Sequence, residues 1–503
     1  MALKSLFFHL VLTAFFQGAV GSNVSQSKGQ FVAALGCEQA CAELEAIFGP
    51  SSALHYPLND TTFEIWDAKQ AEVTPSCRVE PSTTSDVADV LSILVRNACT
   101  FAIKGGGHSR AVDASNSDGG VTVDMNRLHA VDIAEDRRSA RLGAGLTLLQ
   151  AYRALEPKRL SNVAGRVSSV GIAGYTMGGG FSNLTPKLGL AVDNVLEYEL
   201  VLPNSTVVNV TYESEPDLYF ALRGGANNFG IVTHFTVRVA EQGPQLFGPK
   251  YYSPNYTDQV MHEAFRLTTE LSSDTDMAFW TRYAYNQSAD SYNLSLVQAY
   301  LQPIPEPAVF AGVDAIPSQS SGVSIDWFSN QIDEGVPFGF RHLFTTLTYT
   351  PSAELDKLIH AIFAEEVATV KSTPGFSPSV VIQPIHQNAI AIAKERGGNA
   401  LGLESANGGP LTLALLTFGW MNAADDEAMY AFAEAWRCRS EEVAREMGLW
   451  NRYLYINYCK EDQDPFGGYG EKNKERLRRI QRKVDPEGIF TREGLNRGNF
   501  KLQ

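Results

Sequence analysis

The chain has 503 residues, 44% of them hydrophobic and 19% charged, with a formal net charge of −15 and a pI near 5.1. That length exceeds one ordinary core and predicts two lobes of a globular protein, while the acidic balance argues against binding nucleic acid, whose phosphates call for clustered Lys and Arg. A small neutral or weakly polar substrate is expected instead, and the Cys and His residues show no metal-ligand spacing.

Residues 1–21 read as a secretory signal: Lys4 precedes an apolar run over 6–16, and Ala19 and Gly21 supply the small residues of a cleavage site before Ser22. The run is too short to span a bilayer, so the mature chain is expected to enter the secretory pathway and keep no membrane attachment. Sequons at Asn23, Asn59, Asn183, Asn204, Asn209, Asn255, Asn286 and Asn293 predict a glycosylated surface. The cysteines are Cys37, Cys41, Cys77, Cys99, Cys438 and Cys459; in an oxidising compartment they predict one or two disulfides.

Thr84 or Ser85 is expected to cap a helix whose Val87, Val90, Leu91, Leu94 and Val95 recur at helical spacing. It leads to a short apolar run over 100–103 of strand type, and this to Lys104-Gly105-Gly106-Gly107-His108-Ser109-Arg110. Three glycines in a row let the backbone approach a ligand and aim several N–H groups at one anion, such as a pyrophosphate. No Lys-Ser or Lys-Thr follows, so this is not a P-loop, and it lacks the spacing of a Rossmann fingerprint. Val121, Val123 and Met125 predict a half-buried strand. A second glycine cluster, Gly171, Gly174, Gly178, Gly179 and Gly180, lies within 165–190. Leu196, Tyr198, Leu200 and Leu202 alternate, break at Pro203-Asn204-Ser205 and resume at Val207-Val208, which reads as a hairpin; Ile231, Thr233, Phe235, Val237 and Val239 give another strand. Beyond about Gln242 the glycine clusters stop, and residues 244–450 read as antiparallel sheet with helices on one face, including the run over 411–416. From Arg452 the chain is expected to return to the first lobe and end in a helix with Leu477, Ile480 and Val484 that stops at Asp485-Pro486. The class is α+β.

Taken together, residues 104–110, Val170-Gly171-Ile172-Ala173-Gly174 with Gly178-Gly179-Gly180, and Arg223-Gly224-Gly225-Ala226-Asn227-Asn228-Phe229-Gly230-Ile231-Val232-Thr233 resemble the FAD-linked oxidases of the vanillyl-alcohol-oxidase superfamily, most closely its berberine-bridge-enzyme-like branch of fungal secreted type. Tyr455-Ile456-Asn457-Tyr458 and Asp485-Pro486-Glu487-Gly488-Ile489-Phe490 are similar to that group's closing motifs, in the family's order. The resemblance implies a two-lobed FAD-binding domain over 22–243, a substrate domain of antiparallel sheet covered by helices over 244–451, and a segment over 452–503 that returns to the FAD domain. It also implies FAD bonded covalently to His108 and surrounded by Gly105, Gly106, Gly107, Ser109, Val170, Gly171, Gly174, Gly179, Ile231, Val232 and Tyr458. Tyr455 is the implied base, with Asn457 beside it, and Cys99 is the implied partner of Cys37 or Cys41.

Departures from the family pattern refine these expectations. Many relatives attach FAD a second time through the cysteine of a Cys-Pro-Thr-Val-Gly segment; here it reads Val167-Ser168-Ser169-Val170-Gly171, so a single attachment is expected. Val170 matches the position where a small residue leaves oxygen a path, which implies an oxidase that yields hydrogen peroxide. The carboxylate that some plant members carry before the substrate-lobe tryptophan is missing from the apolar run 413–419 ahead of Trp420, and the plant Lys-Tyr-Gly reads Lys187-Leu188-Gly189; both imply an apolar pocket. Gly397-Gly398-Asn399-Ala400-Leu401-Gly402 resembles the substrate lobe of fungal members. The expected protein is a secreted, monomeric FAD oxidase that oxidises an alcohol, amine or activated C–H of a small, largely apolar metabolite with O2 as acceptor, in secondary-metabolite tailoring. A carbohydrate oxidase, an oxidative cyclase and a non-catalytic flavin-fold binding protein are the alternatives.

Overall fold

The computed structural model describes residues 35–335, 337–403 and 408–502; the signal segment and Asn23 lie outside them. The helix Thr84–Arg96 starts one residue earlier than the sequence suggests. Its cap is Thr83, whose hydroxyl accepts from the Asp86 N–H at 3.0 Å while the Asp86 carboxylate accepts from the Thr83 N–H at 3.0 Å. This reciprocal pair satisfies two otherwise orphaned donors.

The helix buries Val87, Val90, Leu91, Ile93 and Leu94 and connects the strands of a small sheet. Cys77–Val79 and Phe101–Lys104 flank Val121–Asp124, both parallel to it, and Leu54–His55 pairs antiparallel at the edge. The central strand is buried at all four positions, not half-buried, because both of its faces are covered. Its polar residues are satisfied internally: Thr122 donates to Asn116 at 2.7 Å, and Asp124 pairs with Arg78 at 3.1 Å and Lys104 at 3.2 Å. Disulfides Cys37–Cys99 and Cys41–Cys77 clamp the helical residues 35–48 onto this sheet, leaving Cys438 and Cys459 as thiols.

A second, five-stranded antiparallel sheet runs in the order Val131–Ile133, Ser139–Gly143, Ile231–Arg238, Val195–Val201, Val207–Thr211. The last two strands are the anticipated hairpin. A third sheet, nine-stranded and antiparallel among the described residues, takes most of 245–451. Its long strands have two apolar faces. Phe279, Leu296, Val380, Ile382, Ala414 and Leu416 lie under the helices Thr257–Thr269, Ala353–Val370 and Asp426–Glu446, whereas their neighbours Trp280, Val297, Val381 and Leu415 pack toward Tyr152, Tyr175 and Ala191 of the preceding chain. The period-2 alternation of a one-faced strand is therefore absent from Leu411–Trp420.

The loop over 397–402 docks on the earlier part of the chain. Arg223 and Asp193 form a fully buried ion pair at 2.8 Å. Arg223 also donates to the carbonyls of Arg396 at 2.8 Å and of Gly398, and Asn399 donates to Asp193 at 2.8 Å. Arg223→Met leaves the Asp193 carboxylate buried without its cation, at a cost of about 3–5 kcal/mol. Thermal unfolding is expected to register this as a lower midpoint, and an unchanged midpoint refutes it.

Of the described sequons, Asn59, Asn204, Asn209, Asn255, Asn286 and Asn293 are exposed. Asn183 is 6% exposed, which removes it from the expected glycosylated surface.

Candidate functional site

The strand Phe101–Lys104 delivers the triple-glycine loop to the second glycine cluster. The three glycines are not equivalent. A Cβ on Gly106 would lie 2.2 Å from the Gly171 nitrogen, and one on Gly171 would lie 2.2 Å from the Gly106 nitrogen, so these two residues are bare because the two loops touch backbone to backbone. Gly107 has φ +73, a left-handed conformation that favours glycine. Gly105 and Gly174 are the open positions: a Cβ on Gly105 meets nothing closer than 3.4 Å, and one on Gly174 meets nothing within 4 Å.

The backbone N–H groups of residues 105–110 meet no acceptor among the described residues. A run of free amides beside side-chain-free backbone is an anion-binding concavity. Ser109 closes the loop by donating to Asn499 at 3.2 Å. Gly171 caps the short helix Ile172–Met177 that carries Gly174. Ile231 and Val232 are buried at the start of their strand, and Val170 is half-buried against the aromatic cluster between the sheets. These features fit a dinucleotide cofactor with a charged pyrophosphate.

His108 is held in one orientation. Its Nε2 lies 2.7 Å from Ser169 Oγ, and its ring stacks on Trp66 at 4.2 Å between centroids. The opposite face of Trp66 stacks on His342 of the large sheet at 3.7 Å, so one indole bridges a residue of the glycine loop and a residue of the nine-stranded sheet. Burial, and after it the neighbouring Arg110 charge, holds the His108 imidazole down to about 3, leaving it neutral at ordinary pH. Arg110 links the loop to the C-terminal motif. It donates to the carbonyls of Asn457 at 3.3 Å and Cys459 at 3.1 Å, and its guanidinium lies 4.1 Å from the Phe344 ring centroid.

The Tyr455–Tyr458 motif divides in two. Tyr455 is 2% exposed; its hydroxyl accepts from Asn457 Nδ2 at 2.9 Å, and Asn457 also donates to the Tyr175 carbonyl at 3.1 Å. Burial pushes the Tyr455 phenol up from its ordinary value. Gly179 lies beneath this pair, its Cβ direction 3.2 Å from Leu401 and 3.5 Å from Tyr455. Tyr458 is half-buried; its ring meets the Tyr455 ring edge-on at 4.7 Å between centroids, and its hydroxyl accepts from Arg166 Nη2 at 3.4 Å. Arg166 lines a pocket of about 580 Å³, open to solvent, with Phe181, Trp280, Gln383 and His386 also on its wall.

At the position where relatives carry a second flavin-linking cysteine, Val167 is covered by the large-sheet side of the chain. It bridges to Asp333, and a Cβ on Gly335 would lie 2.8 Å from it. Sequence reasoning missed the roles of Trp66, Ser169, Arg166 and Gln383. Their partners lie 61 residues away for Ser169 and His108, and 217 residues away for Arg166 and Gln383, so no local pattern marks them.

A parallel sheet that ends in a bare, amide-rich loop with a fixed imidazole, facing a large antiparallel sheet, defines a flavin-type oxidoreductase. Residues 75–211 match the family model described as FAD binding domain, and residues 454–493 match the one described as Berberine and berberine like. The chain is 33% identical to FAD-dependent monooxygenase tpcD of Cochliobolus heterostrophus, covering 94% of this chain and 96% of that protein. It is 28% identical to the bifunctional solanapyrone synthase of Alternaria solani, covering 93% and 90%. Xylooligosaccharide oxidase from Myceliophthora thermophila, solved in complex with xylobiose, shares the fold at a TM-score of 0.73 and 19% identity, over 92% of this chain and 99% of that one. The chain belongs to the berberine-bridge-enzyme-like family of FAD-linked oxidoreductases.

Proposed function

We propose that this protein is a secreted FAD oxidase with a single covalent attachment at His108, acting on a small metabolite with a largely apolar body in a secondary-metabolite tailoring step. The observation that carries this reading is the set of free amides over 105–110 beside the open Gly174, ending in a neutral, oriented imidazole. When bound, FAD supplies the two-electron acceptor. The loop amides hold its phosphates. Ser169 engages His108 Nε2 and so leaves Nδ1 as the atom free to bond. The presence of Val167 in place of a cysteine supports one attachment rather than two.

The group that removes the substrate proton is Tyr458 rather than Tyr455. A base has to reach the substrate, and the Tyr458 hydroxyl lies 3.4 Å from Nη2 of Arg166, which lines the pocket. The buried Tyr455, tied to Asn457, positions the motif over the second glycine cluster. We read residues 22–243 and 452–503 as the FAD lobe and 244–451 as the substrate lobe. Secretion is supported by residues 1–21, two disulfides and six exposed sequons, and no helix of the described residues is long and apolar enough to cross a membrane. We read the protein as monomeric.

The name monooxygenase on a relative favours a second reading, in which one oxygen atom enters the product. Reduction of the purified holoprotein with dithionite and mixing with oxygen tests the acceptor. Rapid reoxidation with one peroxide per flavin is expected; reoxidation over many minutes without peroxide points to a dehydrogenase. Label from ¹⁸O2 in the product of turnover would select the monooxygenase reading.

A further inference from the structure

The pocket beside Tyr458 departs from the apolar cavity that the sequence implies. Its walls are aromatic and aliphatic at Phe181, Leu267, Phe279 and Trp280, yet Arg166 projects among them. No Asp or Glu is among the described residues that line it, in a chain with a net charge of −15. Burial holds the other titratable wall residue, His386, below its ordinary value, so it is neutral and Arg166 supplies the formal charge of the wall.

The protein partners of Arg166 are neutral. Its Nη2 donates to Gln383 Oε1 at 2.6 Å and to the Tyr458 hydroxyl at 3.4 Å, and its guanidinium lies 4.0 Å from the Trp280 ring centroid. Its Nε and Nη1 N–H groups meet no acceptor among the described residues and are not enclosed. A guanidinium has five donors in a planar fork and no acceptor. Here one nitrogen and one ring fix the plane, and the remaining donors are free. Fixing the side chain beforehand reduces the entropy lost when an anion binds.

We infer that this pocket binds a carboxylate-bearing substrate, with Arg166 receiving the carboxylate and Trp280 and Phe181 covering the apolar body. This inference rests on reading the pocket as the substrate site of the proposed oxidase. Gln383 and Trp280 are positioning residues that act through Arg166.

The test is isothermal calorimetry on the purified holoprotein with benzoate, cinnamate and octanoate, each against its amide. A charge-assisted hydrogen bond gained by the acid predicts that at least one acid binds about tenfold or more tighter than its amide. Arg166→Gln is expected to abolish that preference and Arg166→Lys to restore part of it, since Lys keeps the charge and loses the fork. Equal binding of acids and amides, no binding of any acid, or a preference that survives in a folded Arg166→Gln protein overturns the inference. Flavin content is read from the absorbance of the same samples. Bound flavin without acid preference defeats the substrate class and leaves the oxidase reading intact, whereas acid preference lost in Arg166→Gln in a flavin-free protein upholds the pocket and defeats the oxidase reading.

Discussion

His108→Ala protein, denatured in acid and resolved on a gel, is expected to lose the yellow flavin fluorescence that stays with the wild-type polypeptide. The expectation follows from three properties of one side chain. The imidazole ends the amide-rich loop, burial and the Arg110 charge keep it neutral, and Ser169 and Trp66 hold its ring in place. A protonated imidazole has no lone pair with which to form a bond, so a depressed pKa keeps the nucleophilic form dominant down to about pH 3. Because the free amides of 105–110 remain, the mutant is expected to bind flavin that acid then releases. Wild-type protein whose flavin washes off in acid removes His108 as the anchor. A mutant that never acquires flavin assigns the residue to cofactor binding as a whole.

The second large effect separates glycines that look alike in the sequence. Gly106→Ala puts a methyl group 2.2 Å from the Gly171 nitrogen. Neither loop can yield by rotating a side chain, so the backbones have to part. Overpacking of this kind costs about 1–3 kcal/mol and occasionally more, and contact with backbone puts Gly106→Ala at the upper end, read as a lower thermal midpoint of flavin-free protein. Gly174→Ala has the opposite signature. The methyl group meets no protein atom, and alanine gains about 1 kcal/mol of helix propensity over glycine, so the flavin-free protein is expected to melt no lower than wild type. If the open face of Gly174 is where the cofactor lies, the same substitution reduces flavin loading. A Gly106→Ala midpoint equal to wild type would sink the loop-to-loop contact, and full loading of Gly174→Ala would remove that glycine from the cofactor site.

Much of the site's chemistry is legible in the order of residues. Glycine runs at 105–107 and 178–180, one histidine straight after the first run, and closing motifs at 455–458 and 485–490 resemble a flavin oxidoreductase family without any knowledge of packing; the residues themselves mark bare backbone for an anion and an imidazole at its edge, which are local properties, and the resemblance supplies the flavin. The helix Thr84–Arg96 and the hairpin of Val195–Val201 with Val207–Thr211 are likewise local, set by spacing, a cap and a turn. Tertiary structure decided the rest. Whether a glycine is bare for the cofactor or for a neighbouring loop depends on the approach of Gly171 to Gly106, 65 residues earlier in the chain. The polar residues of Val121–Asp124 are buried because both faces of that strand are covered, and the long strands of the large sheet lack alternation because helices cover one face and the rest of the chain covers the other. Cys37–Cys99 and Cys41–Cys77 were selected by how residues 35–48 cross the small sheet. Of the two tyrosines in one motif, Tyr455 is buried with its hydroxyl on Asn457, whereas the Tyr458 hydroxyl meets Arg166, and only the fold decides which partner each finds. The sequence determined which chemistry the chain carries; the charge at its pocket was decided only when folding brought Arg166 to Gln383 and Trp280, since no residue near Arg166 in the chain specifies what its guanidinium will meet.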